Sequence, residues 1–231
     1  MPRALAIETS GRLGSVAIVE DGRVLAEDEF PHGLQHAAEI IPRIDRLCHD
    51  LGWVPTDLRE IYVSVGPGSF TGLRIGITLA KTLAFATGAR IVAVPSVEVL
   101  ARNAPWEVRD LIIVLDAKRD QIYTARLTRA EQGWVEREPA HLDDLRSMLA
   151  RAPRPVHLLG EGIPFHQKFI PADDPQIVVC PVESWRARAS AVSELGFHLA
   201  KEGHFADLNT LAPIYIRRPE AEEKFDARRP L

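Results

Sequence analysis

Residues 66–76 read Gly66-Pro67-Gly68-Ser69-Phe70-Thr71-Gly72-Leu73-Arg74-Ile75-Gly76. An apolar run at 61–65 precedes this stretch. Ile75, Leu79, Thr82, Leu83 and Ala86 continue it at helical spacing and are expected along the buried side of a helix. A strand therefore passes into a helix through a turn with four glycines in eleven residues. The helix is expected to open near Gly72 and to run to about Thr87, with Gly88 as its C-cap. Two readings of the turn stand side by side. Glycines let a ligand approach the backbone, and a helix start favours an anion, so Gly66, Gly68, Ser69, Thr71 and Gly72 are candidates for phosphate contact, with Arg74 one turn further on. Equally, the glycines permit close packing of helix on strand. The spacing fits neither GxGxxG nor the GK[ST] ending of a P-loop.

Upstream, 4–7 and 14–19 are apolar runs, and Asp21-Gly22 follows the second. Asp-Gly between apolar runs signals a hairpin, so 23–29 is a third strand antiparallel to the second. The period then changes. Between 35 and 51, Ala37, Ile40, Ile41, Ile44, Leu47, Cys48 and Leu51 share one helical face, and Gly52 fits the C-cap. Pro42 lies inside this pattern, where it is expected to kink the helix or mark a new start. A strand at 90–94 and a short helix at 97–101, begun by Ser96, follow the glycine-rich helix.

Mixed charge around Ala104-Pro105-Trp106 marks a boundary, giving a first lobe over 1–103 and a second over 104–231. The second half repeats the pattern of the first. Apolar runs at 111–115, 122–127 and 134–138 precede a helix at 141–149, a strand at 156–159, a weak helix at 165–169 and a strand at 177–179. The order β-β-β-α-β-α recurs, with Asp116 where Glu8 stood. The last helix, 187–201, is a candidate to pack back on the first lobe, and Ile214-Tyr215-Ile216 alternate as an edge strand would.

At the usual ~100–200 residues per domain, 231 residues allow one large domain or two small ones. Hydrophobic residues make up 46%, and 28 Lys+Arg against 32 Asp+Glu leave a charge of −4. This excludes a disordered chain and a strongly basic nucleic-acid binder. Cys48 and Cys180 cannot build a disulfide framework and read as packing, so a reducing cytoplasm is expected. The N-terminus lacks the features of a signal peptide, and no run approaches the ~20 apolar residues of a membrane span.

Other chemistry is thinly marked. Glu8-Thr9-Ser10 ends the first strand, where oxygen ligands suit a hard cation, with Asp116 as a second carboxylate. The same residues also suit a turn, and Asp116 and Asp120 flank Lys118 and Arg119 as in a solvated loop. His32 and His36 are four apart with Glu39 beyond, but His32 precedes Gly33, outside the helix. There is no HExxH and no CxxC, and Ser69 is not in a GxSxG elbow. Gly76, Ala80, Ala84 and Gly88 recur every four positions and suit close approach, inside the fold or between chains. Arg43, Arg46 and His49 are placed toward solvent.

Several stretches together resemble the TsaB family: IETS (7–10), QHAAEIIPRIDRL (35–47), GPGSFTGLRIGITLAKTLAF (66–85), VPSVEVLA (94–101), the LDAKRDQIY run ending at Tyr123, and APIYIR (212–217). The resemblance implies a two-lobed actin-like (ribonuclease-H-like) α/β fold, in agreement with the duplicated pattern. It implies cytoplasmic work in forming the threonylcarbamoyl adenosine next to the tRNA anticodon. The expected role is that of a non-catalytic subunit supporting a TsaD-like catalytic paralogue, with a TsaE-like ATPase as third component and a homodimer when alone. tRNA is then held mainly through the complex, with Arg217-Arg218 and Arg228-Arg229 as local phosphate patches. No catalytic residue, metal or cofactor is expected. The paralogue's metal site uses two histidines four apart, and those positions hold Ser96 and Leu100 here. The partner surface is implied on the helices at 35–51 and 72–87, with Ile40, Arg43, Ile44, Leu47, Leu73, Ile77 and Ala80 as candidates. Two competing functions remain. An independent ATP-binding phosphotransferase of the actin-like class needs Glu8 and Asp116 as a carboxylate pair, and a peptidase needs a nucleophile or metal set that the sequence does not offer.

Overall fold

Side-chain alternation sets the layers. In β1 (Arg3–Glu8), Ala4 and Ala6 face one side, Leu5 and Ile7 the other, and all four are buried. A strand buried on both faces belongs in the middle of a sheet that is covered twice. The computed structural model, which describes residues 2–31, 36–131 and 133–217, places it there. β2 (Leu13–Glu20) and β3 (Arg23–Pro31) form an antiparallel meander on one side of β1. β4 (Glu60–Gly66) and β5 (Arg90–Pro95) add in parallel on the other, giving the order β3-β2-β1-β4-β5. The second half builds the same sheet from β6 (Asp110–Asp116), β7 (Ile122–Ala130), β8 (Gly133–Asp143), β9 (Val156–Leu159) and β10 (Ile177–Val179), in the order β8-β7-β6-β9-β10. The chain is thus a duplicated, two-lobed α/β structure of the actin-like, ribonuclease-H-like type.

Helices fill three layers around the two sheets. α1 (His36–Asp50) and α2 (Phe70–Thr87) cover the Leu5/Ile7 face. α3 (Ser96–Arg102) and α6 (Ala189–Lys201) lie between the sheets, in one core with Ala4, Ala6, Leu111 and Ile113. α4 (Leu145–Arg151) and α5 (Ile163–His166) cover the outer face of the second sheet. α6 belongs to the second half of the chain yet packs on the first sheet. Gly196 lies against the Tyr62 ring, where a Cβ would come within 2.4 Å. Ser15 Oγ accepts the Ala189 N–H at 2.8 Å, and the Glu27 carboxylate accepts the Ser190 N–H at 2.8 Å.

Four local expectations change. α1 runs unbroken through Pro42, which is exposed, while Ile40, Ile44, Leu47 and Cys48 on either side keep one buried face. α2 opens at Phe70, because Ser69 caps it by accepting the Gly72 N–H at 3.3 Å. β8 extends to Asp143, so α4 starts at Leu145, four residues later than the apolar spacing suggests. Asp144 caps it by accepting the Ser147 N–H at 3.0 Å. Residues 214–216 form no strand; Ile214 N–H donates to Val65 O at 2.7 Å as a single contact. His32, Gly33, Arg218, Arg228, Arg229 and the His36 side chain lie outside the described residues.

α2 is seated on β1 by missing side chains. A Cβ on Gly76 would stand 2.3 Å from Thr9 Oγ1, with its next neighbour at 3.5 Å. Thr9 Oγ1 is buried and has no hydrogen-bond partner among the described residues. Gly76→Ala is therefore expected to lower stability by about 1–3 kcal/mol through overpacking. Thr9→Ala in the same chain removes the obstructing atom and restores most of the loss, as denaturant unfolding of the two single variants and the double variant would measure. A double variant no better than Gly76→Ala contradicts this account.

Candidate functional site

β1 ends at Glu8, and the next two residues meet the glycine turn. A Cβ on Gly68 would come within 2.5 Å of Ser10 O, and one on Gly72 within 2.0 Å of Thr9 O. The turn is thus a close backbone-on-backbone contact. Three of its N–H groups have acceptors within the fold. Ser69 N–H donates to Ser10 O at 2.7 Å, Gly72 N–H to Ser69 Oγ, and Gly66 N–H to Ser96 Oγ at 3.1 Å. Ser96 was expected to start α3 as its cap. Pro95 takes that position instead, and the Ser96 hydroxyl, fully buried, ties α3 to the glycine turn. Gly66 has φ +111°, and a Cβ there would meet Ile214 O at 2.9 Å. Of the candidate phosphate-contact residues, Gly68 and Ser69 line a cleft between the lobes, while Thr71 is exposed on the first turn of α2.

That cleft has a volume of about 910 Å³. Arg12, Lys118, Arg119 and Arg217 line it against Asp116 and Glu161. The lobes are fastened across it. Glu161 accepts the Arg12 N–H at 2.7 Å, the Arg12 guanidinium lies 4.5 Å over the Phe165 ring, and Arg217 donates to Ala117 O at 3.0 Å. The segment leading to Arg217 crosses the first lobe, held by Ala206 N–H to Ile91 O at 2.8 Å and Lys81 Nζ to Leu211 O at 3.2 Å. At the other lip, Lys118, Arg119 and Asp120 all have positive φ, at 64°, 54° and 58°. Three consecutive non-glycine residues in that region store backbone strain where the hairpin meets the cleft.

The two carboxylates proposed as a metal pair do not face each other. Glu8 is fully buried and turned into the protein. Its Oε1 accepts the Ser10 N–H at 2.5 Å, and its other oxygen accepts the Ser64 hydroxyl. Burial pushes its carboxyl above the usual range, against those hydrogen bonds. Asp116 does line the cleft, accepting the Lys118 N–H at 3.1 Å and contacting Lys118 Nζ at 3.1 Å and His166 Nε2 at 3.2 Å. Partial burial works against its charge, yet these partners hold its carboxyl below the usual range. Among the described residues, no three His, Cys, Asp or Glu side chains are grouped to hold a metal ion. Leu100 is buried in the core between the sheets.

The helices offered as a partner surface present other residues than those expected. Ile40, Ile44, Leu47, Leu73, Ile77 and Ala80 are buried in the first lobe's own core. They follow one another at three- and four-residue steps, and that face is the one seated on the sheet. Arg43 is half-buried and paired with Asp28 at 2.8 Å and Glu39 at 3.1 Å. Gly76, Ala80 and Ala84 also face inward, and Gly88 is the left-handed C-cap. The outward face carries Ile41, 57% exposed, and Phe85, 88% exposed, with Thr71, Arg74, Thr78 and Thr82 between them. Ile41, read with the apolar face of α1, and Thr82 and Ala86, read on the buried side of α2, are exposed instead, and Phe85 is not singled out by sequence, because apolar spacing alone leaves the rotation of α2 open. It missed the Glu161–Arg12 contact because nothing local marks a pairing so distant along the chain.

A family model described as TsaD, tRNA N6-adenosine threonylcarbamoyltransferase, matches residues 33–158. The tRNA threonylcarbamoyladenosine biosynthesis protein TsaB of Bacillus subtilis (strain 168) is 36% identical over 225 residues, which span 96% of each chain. The protein of the same name from Escherichia coli (strain K12) is 33% identical over 135 residues, 57% of each. Among solved structures, YeaZ from Pseudomonas aeruginosa shares the fold with a TM-score of 0.77 at 24% identity, covering 93% of this chain and 100% of that one.

Glu8 gives stability a sign. Its folded-state pKa is raised above the ordinary 4.5, so the folded chain favours the protonated carboxyl. The associated stability is fully present below the ordinary glutamate range and is lost as pH rises through the folded-state value. Glu8→Gln stays neutral and keeps partners for Ser10 N–H and the Ser64 hydroxyl. The variant is expected to gain stability relative to the parent as pH rises above about 4.5, the ordinary carboxyl value. Urea unfolding across a pH series checks it, and a pH-independent difference between the two proteins contradicts it.

Proposed function

The chain belongs to the TsaB family, and from that membership we propose that it is the non-catalytic partner subunit of the assembly that transfers a threonylcarbamoyl group to the adenosine next to the tRNA anticodon. The observation that carries this reading is kinship along nearly the full chain with the Bacillus subtilis protein. The subunit it supports is a TsaD-like catalytic paralogue. A TsaE-like ATPase is the third component, and the isolated chain pairs with itself. The cleft chemistry favours a supporting role over an independent phosphotransferase, because Glu8 is consumed by Ser10 and Ser64 and does not face Asp116. A peptidase finds no support at Ser69, whose hydroxyl caps α2.

The partner surface in this reading is the outward side of α1 and α2. Ile41 and Phe85 are large apolar side chains in water there, as the centre of an interface provides. The net charge of −4 supports tRNA being held mainly by the partners. Work in the cytoplasm fits the two buried, unpaired cysteines. No helix among the described residues is long and apolar enough to cross a membrane.

Reconstitution tests the reading. The catalytic subunit, the ATPase, threonylcarbamoyl-adenylate and tRNA are expected to yield modified tRNA only when this chain is added, and the chain alone yields none. Phe85→Glu and Ile41→Asp are expected to weaken pairing with the catalytic subunit by at least about tenfold, while leaving the melting temperature in place because both side chains are exposed. Equal product without the chain, or product from the chain alone, defeats the proposal.

A further inference from the structure

Arg74 is the cation on the outward side of α2 that the described residues immobilise without neutralising. It is exposed, and its guanidinium lies 3.9 Å over the Phe70 ring, four residues back on the same helix. The Tyr215 ring lies 5.8 Å away, and the two rings are 4.9 Å apart. Arg74 Nε donates to the Tyr215 hydroxyl at 2.8 Å. Its Nη1 and Nη2 groups make no hydrogen bond or ion pair with any described residue. A free surface arginine has about 2 kcal/mol of rotamer entropy to lose on binding. Here the ring stack and the Nε bond have already fixed the plane, and the two terminal nitrogens are left as parallel donors.

We propose that Arg74 is the specificity contact of this subunit, a preformed fork that receives a carboxylate of the catalytic partner; this rests on the partner reading above. Two parallel N–H donors match the two oxygens of a carboxylate. The surroundings select a protein acid over an RNA phosphate. Arg74, Thr78, Thr82 and Phe85 form one outward stripe, uncharged but for Arg74. The other cation of α2, Lys81, is tied to Leu211 O. RNA backbones are held by several cations along a track, whereas one arginine beside an exposed aromatic has the make-up of a protein-interface centre. A second copy docked α2 against α2 offers no acid, because α2 carries none; a second copy that offered Asp45 or Asp50 of α1 would show instead as a loss of self-association in Arg74→Gln. Clamping the last segment is not sufficient reason for the stack. That segment is already held by the Ala206–Ile91, Lys81–Leu211 and Ile214–Val65 hydrogen bonds.

The test uses the full chain titrated with the catalytic subunit, alongside self-association by sedimentation, tRNA binding by the assembled complex, and melting temperature. Arg74→Gln is expected to weaken the heteropair by about ten- to hundredfold. Arg74→Lys, which keeps charge but loses the fork, falls close to it. Tyr215→Phe, which frees Nε, gives a smaller loss of about three- to tenfold. Self-association and melting temperature stay at parental values. If Arg74→Gln also lowers the melting temperature, Arg74→Lys decides, and parental affinity for it overturns the proposal. Parental affinity of Arg74→Gln with loss in Phe85→Glu overturns the Arg74 proposal and leaves the partner face standing, whereas parental affinity of both removes the face itself. An effect confined to tRNA binding, or to self-association, overturns the choice of a partner carboxylate.

Discussion

A helix approaches a strand end only as closely as the side chains between them allow, and at the end of β1 the helix contributes none. Gly68, Gly72 and Gly76 present bare backbone to Thr9 and Ser10, where any Cβ would fall within 2.5 Å of an atom already there. The rest of the first lobe follows from that seat. It brings Ser69 N–H onto Ser10 O and lets Ser69 cap the helix. It turns Leu73, Ile77, Ala80 and Ala84 onto the sheet. By the same rotation it leaves Arg74, Thr78, Thr82 and Phe85 facing water. One contact of about a van der Waals radius thereby fixes both the cleft wall and the outer face.

The same contact takes up part of the anion cradle that a glycine-rich turn at a helix start can offer. Such cradles depend on N–H groups that have no other acceptor. Here Gly66, Ser69 and Gly72 direct theirs to Ser96, Ser10 and Ser69. Glu8 undergoes a parallel change. At the end of a strand it could face a ligand, but Ser64 on β4 and the Ser10 N–H draw it inward, where burial favours its neutral form. Serine hydroxyls therefore absorb groups that an active cleft would hold in reserve, and the fold persists without them.

How much of this was legible depended on the range of the signal. Apolar runs and Asp21-Gly22 marked the meander, and the recurrence of the pattern after residue 104 marked the second sheet. The glycine spacing marked a close turn without deciding between ligand and packing. What could not be read was orientation. Apolar residues of α2 spread beyond one face, so spacing alone lets either Ile75, Leu79 and Leu83 or Leu73, Ile77 and Ala80 meet the sheet; the Gly76–Thr9 contact decides that. Local competition hid other details. Asp144 set the start of α4 later than the apolar spacing suggests, and α1 continues through Pro42 with Ile40, Ile44, Leu47 and Cys48 burying one face on either side of it. Contacts between distant segments, such as Glu161 with Arg12 and Tyr215 with Arg74, had no sequence mark at all.

The two lobes of this architecture share more than a hinge. α3 and α6 are buried between the sheets in one continuous core, and α6, from the second half, rests on the first sheet. Opening the cleft would pull Arg12 from Glu161 and Phe165 and Arg217 from Ala117, and would expose side chains of that core to water. A protein that works by closing on a ligand keeps such fastenings few, because its lobes must move at low cost. A protein that works by presenting a surface gains from the opposite arrangement, since a rigid face loses less freedom when its partner docks. The Phe70–Arg74–Tyr215 stack applies that logic to a single side chain: Tyr215 sits on the segment that fastens the lobes, and the stiffness of the whole reaches the outer helix through it.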